Sequence, residues 1–146
     1  IKGVLDKIEF KGSDINVVDY KTGSYAKAKS KFKRPDEIDA QGGDYWRQAV
    51  FYKLLVDHDR STTWQVISTE FDFLEPEDDQ YIKEKIVIAP HDLAIVKAQI
   101  KDTYIRIMNH EFTSGCGKAE CQWCAFVRSN FEQVSDLLET AESDLE

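Results

Sequence analysis

The sequence predicts an α/β domain in which a mixed β-sheet is flanked by helices, in the order ββ-α-ββ-α. Three observations predict it. Two short runs rich in strand-forming residues, split by turn chemistry, open the chain. Two longer segments carry apolar residues at helical spacing, one mid-chain and one after Pro90. Further strand-like runs lie between those helices.

The first pair of strands spans Val4 to Phe10 and Ile15 to Lys21, with Lys11-Gly12-Ser13-Asp14 as a four-residue turn. Residues 24–34 are polar and lysine-rich and end at Pro35, which predicts a mobile loop. Asp44 to Val56 predicts a helix, with Gly42-Gly43 before it and Asp44 as N-cap. Thr62 to Ser68 and Glu70 to Leu74 predict two strands or one bent strand, and Tyr81 to Ile88 another. Asp92 to Asn109 predicts a long amphipathic helix, with Leu93, Val96, Ile100, Tyr104 and Ile107 on one stripe. Residues 1–128 then form one domain. Residues 129–146 are acidic, without a dense apolar face, and predict a frayed helix or a disordered tail.

Length and composition narrow the function. A chain of 146 residues is long enough for a real core. No apolar run approaches membrane-spanning length, and the start does not read as a signal peptide. Ile1 leads at once into strand-like sequence, which predicts a segment of a longer protein. No GxxxxGK[ST] motif is present, so these residues are not an ATP-driven motor. The net charge of −8 does not suggest a nucleic-acid partner, yet its distribution does not exclude one. Residues 1–34 hold nine Lys and Arg against four Asp and Glu, whereas residues 132–146 hold six acids and no base. Cys116, Cys121 and Cys124 lie within nine residues, unlike a secreted disulfide framework. They point to a reducing, cytoplasmic compartment and to metal.

The hairpin carries the candidate chemistry. If Phe10 pairs with Ile15, Ile8 faces Val17, Asp6 faces Asp19 and Val4 faces Lys21. Alternation then puts Val4, Asp6, Ile8 and Phe10 on one inward face with Ile15, Val17, Asp19 and Lys21. Two carboxylates so placed destabilise each other unless a cation lies between them. Magnesium suits such a pair, since it takes one or two carboxylates plus water and substrate phosphate. Lys21, two residues past Asp19, would reach the same spot and stabilise charge in phosphodiester hydrolysis.

Gly3-Val4-Leu5-Asp6-Lys7-Ile8, followed by Val17-Val18-Asp19-Tyr20-Lys21-Thr22-Gly23, resembles the PD-(D/E)XK nucleases of the RecB type. These occur at the C-terminal ends of bacterial helicase–nucleases, including the AddAB type, and as the CRISPR-associated Cas4 proteins. Gln48 and Tyr52, one turn apart in Tyr45-Trp46-Arg47-Gln48-Ala49-Val50-Phe51-Tyr52, match a third element of that family. The resemblance implies a restriction-endonuclease-like fold, truncated at its N-terminus. It implies a Mg²⁺- or Mn²⁺-dependent deoxyribonuclease, acting as an exonuclease on single-stranded DNA ends. Asp6, Asp19 and the backbone carbonyl of Tyr20 would hold the metal. Lys21 would be the catalytic lysine, with Gln48 and Tyr52 in support. A helicase motor in the same chain or complex is the implied partner. The family also has an upstream helix with a metal-facing Glu or His, expected before Ile1. The alternative is an inactive nuclease-fold module that grips DNA or docks on a motor.

Two further segments join this reading. Lys27, Lys29, Lys31, Lys33 and Arg34 follow the active-site strand and are expected to contact DNA phosphates, the lysines alternating to one side if extended. Tyr25 and Trp46 are candidates for stacking on bases or for packing. Cys116-x4-Cys121-x2-Cys124 can hold a metal. The resemblance implies a [4Fe–4S] cluster completed by an upstream cysteine, although the close pair usually comes first in those families. Zinc, with His110 as fourth ligand, is the alternative. His58 and His91 read as surface residues.

Overall fold

The structure is a computed structural model that describes residues 2–111, 115, 116, 118 and 120–130. Strand β1 (Lys7–Lys11) and strand β2 (Asp14–Lys21) form the hairpin. A short helix α1 (Tyr25–Ala28) and a 3₁₀ turn (Lys29–Phe32) follow. Helix α2 (Asp44–Asp57), strand β3 (Gln65–Phe73), strand β4 (Lys83–Val87) and helix α3 (Pro90–Met108) complete the main elements. Residues 122–130 are also helical. The chain packs as two compact units, residues 1–102 and residues from Thr103 on.

The first unit is built on a four-stranded sheet in the order β1-β2-β3-β4. β1 pairs antiparallel with β2, β2 parallel with β3, and β3 antiparallel with β4. The parallel pair needs a crossover, and α2 supplies it. β2 is therefore central, and Ile15, Val17 and Val18 are fully buried. The edges carry Lys7, Glu9, Lys83 and Lys85, charges that discourage further strand pairing. On one side of the sheet, α2 buries Trp46, Ala49, Val50 and Leu54. Tyr25, Phe32, Tyr45, Phe71 and Phe73 form an aromatic cluster beside them.

The predicted hairpin register is the observed one, with Phe10 opposite Ile15 and Ile8 opposite Val17. Three details differ. Lys11 pairs with Asp14, so the turn is only Gly12-Ser13, and Gly12 takes the left-handed conformation (φ 68°) that such a tight turn uses. The ladder ends at Lys7–Val18, and Asp6 lies in the bend before it. Val4 and Phe10 are exposed rather than inward, because β1 is an edge strand; Phe10 packs on the equally peripheral Trp64.

Residues 24–34 are folded, not a loop. Glu77 accepts bonds from the Ser24 hydroxyl and the Ala26 amide and so caps α1 from a distant turn. Gly43, not Asp44, precedes the first turn of α2, and Asp44 pairs with Arg47 instead. The two predicted strands between α2 and β4 are one strand, β3. In the long helix Val96 is buried and Leu93 and Ile100 pack on the core, whereas Tyr104 and Ile107, in the second unit, are exposed. The acidic tail lies outside the described residues apart from 129 and 130, which are helical. Among the described residues, no helix is long and apolar enough to cross a membrane.

Asp92 fastens this unit. Its fully buried carboxylate accepts bonds from Arg34 Nε (3.0 Å) and Nη2 (3.2 Å), the Ala89 amide (2.9 Å) and Trp46 Nε1 (3.3 Å). Burial alone pushes this carboxyl up, but the bonds from Arg34, Ala89 and Trp46 outweigh burial and hold it below the ordinary aspartate range. A lowered folded-state pKa means the stabilisation is complete above the ordinary aspartate pKa and fades as pH falls through the lowered value. Asp92→Asn is expected to cost about 2–3 kcal/mol in a urea titration at neutral pH, the worth of a few charge-assisted bonds. Its stability should also fall less steeply than that of the unaltered chain below about pH 4.

Candidate active site

β2 and α2 meet at the candidate site, and their two periodicities explain which side chains converge. Residues two apart on a strand share a face, so Asp19 and Lys21 both point towards α2. Residues four apart on a helix share a face, so Gln48 and Tyr52 both point back. The Tyr52 hydroxyl donates to Asp19 Oδ1 at 2.5 Å. Gln48 Nε2 donates to the same oxygen at 3.1 Å and to the Tyr52 hydroxyl at 2.6 Å. Gln48 Oε1 accepts from Lys21 Nζ at 2.9 Å. The ring closes where the Lys21 ammonium sits 2.7 Å from Asp19 Oδ2.

Asp19 is 4% exposed, so each oxygen needs a partner. Oδ1 has two directed donors. Among the described residues, Oδ2 has no well-directed hydrogen bond, and the Lys21 ammonium is its ion-pair partner. Burial, and then the bond to the Asp19 carboxylate, push the Tyr52 phenol well above its ordinary pKa, with a further contribution from the charge of Asp6. Tyr52 therefore remains a donor at any working pH.

Asp6 reaches the site by another route than the predicted one. It is not opposite Asp19 in the ladder; its Oδ2 accepts the Tyr20 amide at 3.0 Å. The bond holds Asp6 at the exposed end of β2, one residue past Asp19. Its Oδ1 makes no hydrogen bond among the described residues.

Two aromatic neighbours escaped the sequence reading. Lys21 Nζ lies 4.5 Å from the Tyr45 ring centroid and 5.4 Å from that of Phe71, and the two rings stack at 5.2 Å. Tyr45 had a legible signal, since it lies three residues before Gln48 and so shares its helix face. Phe71 had none, because only the β2–β3 register brings it beside Asp19.

The basic segment divides. Lys27, Lys29 and Lys31 lie in helical turns and only Lys33 is extended, so the lysines do not alternate to one side. Lys29 and Lys31 lie over the rings of Tyr25 and Tyr45, at 5.3 and 4.9 Å. Lys27 and Lys33 are exposed. Arg34 binds Asp92 and the Val87 carbonyl (2.9 Å), a fastening role. Trp46 is fully buried, and Tyr25 packs on Phe73 and donates to Glu84, so neither offers a free face for a base.

A profile of the PD-(D/E)XK nuclease superfamily matches residues 1–129. The chain belongs to that superfamily. Comparison with curated proteins and with solved structures yields no match. Membership implies phosphodiester hydrolysis of DNA with a divalent metal, and the mixed sheet with flanking helices is the superfamily's α/β fold.

In the second unit, the sulfur atoms of Cys116, Cys121 and Cys124 lie within 4.8 Å of one another. His110 is not part of that convergence, which removes it as the expected fourth zinc ligand. The Cys124 amide, then the thiols of Cys116 and Cys124, hold the Cys121 sulfur and bring its pKa down to about 7. Such a thiol is ready to ligate near neutral pH.

Tyr52→Phe removes one donor from Asp19 and leaves the ring's packing. The Asp19 oxygen then loses its shortest directed bond. Tyr52→Phe is expected to cost about 1–2 kcal/mol of stability in a urea titration, the worth of one hydrogen bond to a buried charge.

Proposed function

We propose that this chain is a RecB-type nuclease domain of a cytoplasmic bacterial helicase–nuclease or related DNA-repair protein. In this reading it hydrolyses phosphodiester bonds from single-stranded DNA ends delivered by a motor. The observation that carries it is the closed ring of Asp19, Lys21, Gln48 and Tyr52 at the end of the central strand.

The donor set fits Mg²⁺ or Mn²⁺. Asp19 Oδ2 is a buried oxygen without a directed bond, and Asp6 offers an exposed carboxylate oxygen at the same strand end. These are hard donors with room left for water and phosphate, as Mg²⁺ requires. The Tyr20 carbonyl would be the third protein donor. When bound, such an ion polarises the phosphate and lowers the pKa of a water molecule. The chain's own residues do the rest. Tyr52 and Gln48 fix the Asp19 carboxylate through Oδ1 and would leave Oδ2 for the ion. Gln48 also holds the Lys21 ammonium, which stabilises the added negative charge on the phosphorus oxygens in the transition state. Lys27, Lys29, Lys31 and Lys33 supply sequence-independent phosphate contacts.

The three cysteines would hold a [4Fe–4S] cluster or, as the alternative, Zn²⁺; thiolates at this spacing suit either. Among the described residues, no fourth His, Cys, Asp or Glu joins the three sulfurs.

Three outcomes test these assignments. Asp19→Ala and Lys21→Ala are each expected to lower metal-dependent cleavage of single-stranded DNA at least about a hundredfold, with the circular dichroism spectrum unchanged. Undiminished cleavage by either variant rejects the mechanism. Lys21→Met should bind Mn²⁺ about tenfold more tightly in a spin-resonance titration, because the ammonium now on Asp19 Oδ2 competes with the ion for that oxygen. Anaerobic iron and sulfide should give the chain a visible absorbance band that Cys121→Ser abolishes. Stoichiometric Zn²⁺ uptake without such a band would favour zinc.

A further inference from the structure

We propose that Lys31 is a second substrate cation of the same site, binding the phosphate next to the one that Lys21 meets. The proposal rests on the nuclease reading above and separates Lys31 from the rest of the basic segment.

Three observations carry it. First, both ammonium groups use one ring: Lys21 Nζ lies 4.5 Å and Lys31 Nζ 4.9 Å from the Tyr45 centroid. Their separation cannot exceed the sum of those distances, which places both within reach of neighbouring phosphates of one strand. Second, the placement is rigid. Tyr45 is stacked on Phe71 with an interplanar angle of 13°. The backbone of Lys31 touches Gly43 so closely that a Cβ there would lie 2.2 Å from the Lys31 carbonyl oxygen, and the Gly43 amide donates to Lys33 at 2.8 Å. Only glycine permits that approach.

Third, Lys31 has no carboxylate within ion-pair distance among the described residues, whereas Arg34, three residues on, has the buried Asp92. An aromatic face holds an ammonium far more weakly than a phosphate does. The half-buried side chain is thus held in place with its charge unanswered.

The test compares a substrate with several phosphates to one with a single phosphate. Oligothymidylate presents a neighbour to the scissile group, and thymidine 5′-(p-nitrophenyl phosphate) does not. In Lys31→Ala, the loss of kcat/KM on oligothymidylate should exceed the loss on the nitrophenyl ester by about tenfold, the cost of one charge-assisted contact. Lys31→Arg should retain most of the rate. Equal losses on both substrates would mean that Lys31 acts only through Tyr45 and Lys21, and would overturn the proposal, as would no loss on either. If the unaltered chain cuts neither substrate, the nuclease reading falls separately. Lys31 is then judged by oligothymidylate affinity: tenfold weaker binding by Lys31→Ala supports it as a phosphate ligand, and an unchanged Kd overturns it.

Discussion

A carboxylate removed from water organises the first unit. Asp19 sits on the central strand, against α2, where an unpaired charge would be costly. Its environment offsets that cost in two ways. The Tyr52 hydroxyl and the Gln48 amide answer one oxygen, and the Lys21 ammonium answers the other. Each partner comes from a rigid element, so the carboxylate has little freedom to turn. The result is an asymmetric group: Oδ1 is bound to the protein by directed bonds, and Oδ2 is held only by a charge that another cation can replace. A structural ion pair would be expected to satisfy both oxygens equally well.

This arrangement depends on the parallel β2–β3 pair and the crossover helix between them. β3 brings Phe71 beside Asp19 and Phe73 beside Lys21, and those rings, with Tyr45, wall the site on its aromatic side. Trp46, one residue on in α2, turns the other way and meets Asp92 at the start of α3. The same helix therefore places Gln48 and Tyr52 at Asp19 and Trp46 at the buried Asp92.

Much of this was legible in the sequence where local rules decide. Turn residues and alternation fix the hairpin, and so Phe10 does lie opposite Ile15. Spacing i, i+4 does bring Gln48 and Tyr52 together. The spacing of Cys116, Cys121 and Cys124 does converge three sulfurs. What was not legible depends on distant contacts. Asp6 joins the site by capping the Tyr20 amide, a bond that alternation cannot foresee. Residues 24–34 lack helical periodicity because their folding is imposed from outside, by Glu77 capping α1 and by Gly43 admitting the 3₁₀ turn. Edge position, not pattern, leaves Phe10 exposed.

The basic segment shows why a run of like charges cannot be assigned as a block. Five cations lie within eight residues, and composition treats them alike. The fold does not. Arg34 has the planar fork that a buried carboxylate can grip at two oxygens, and Asp92 uses it that way. Lys29 and Lys31 are given only aromatic faces, which hold a cation in position without neutralising it. Whether a charge is structural or available for a ligand is thus decided by the anion that the fold does or does not place beside it. By that criterion, Arg34 belongs to the architecture, while Lys31 faces a position that a phosphate strand would complete.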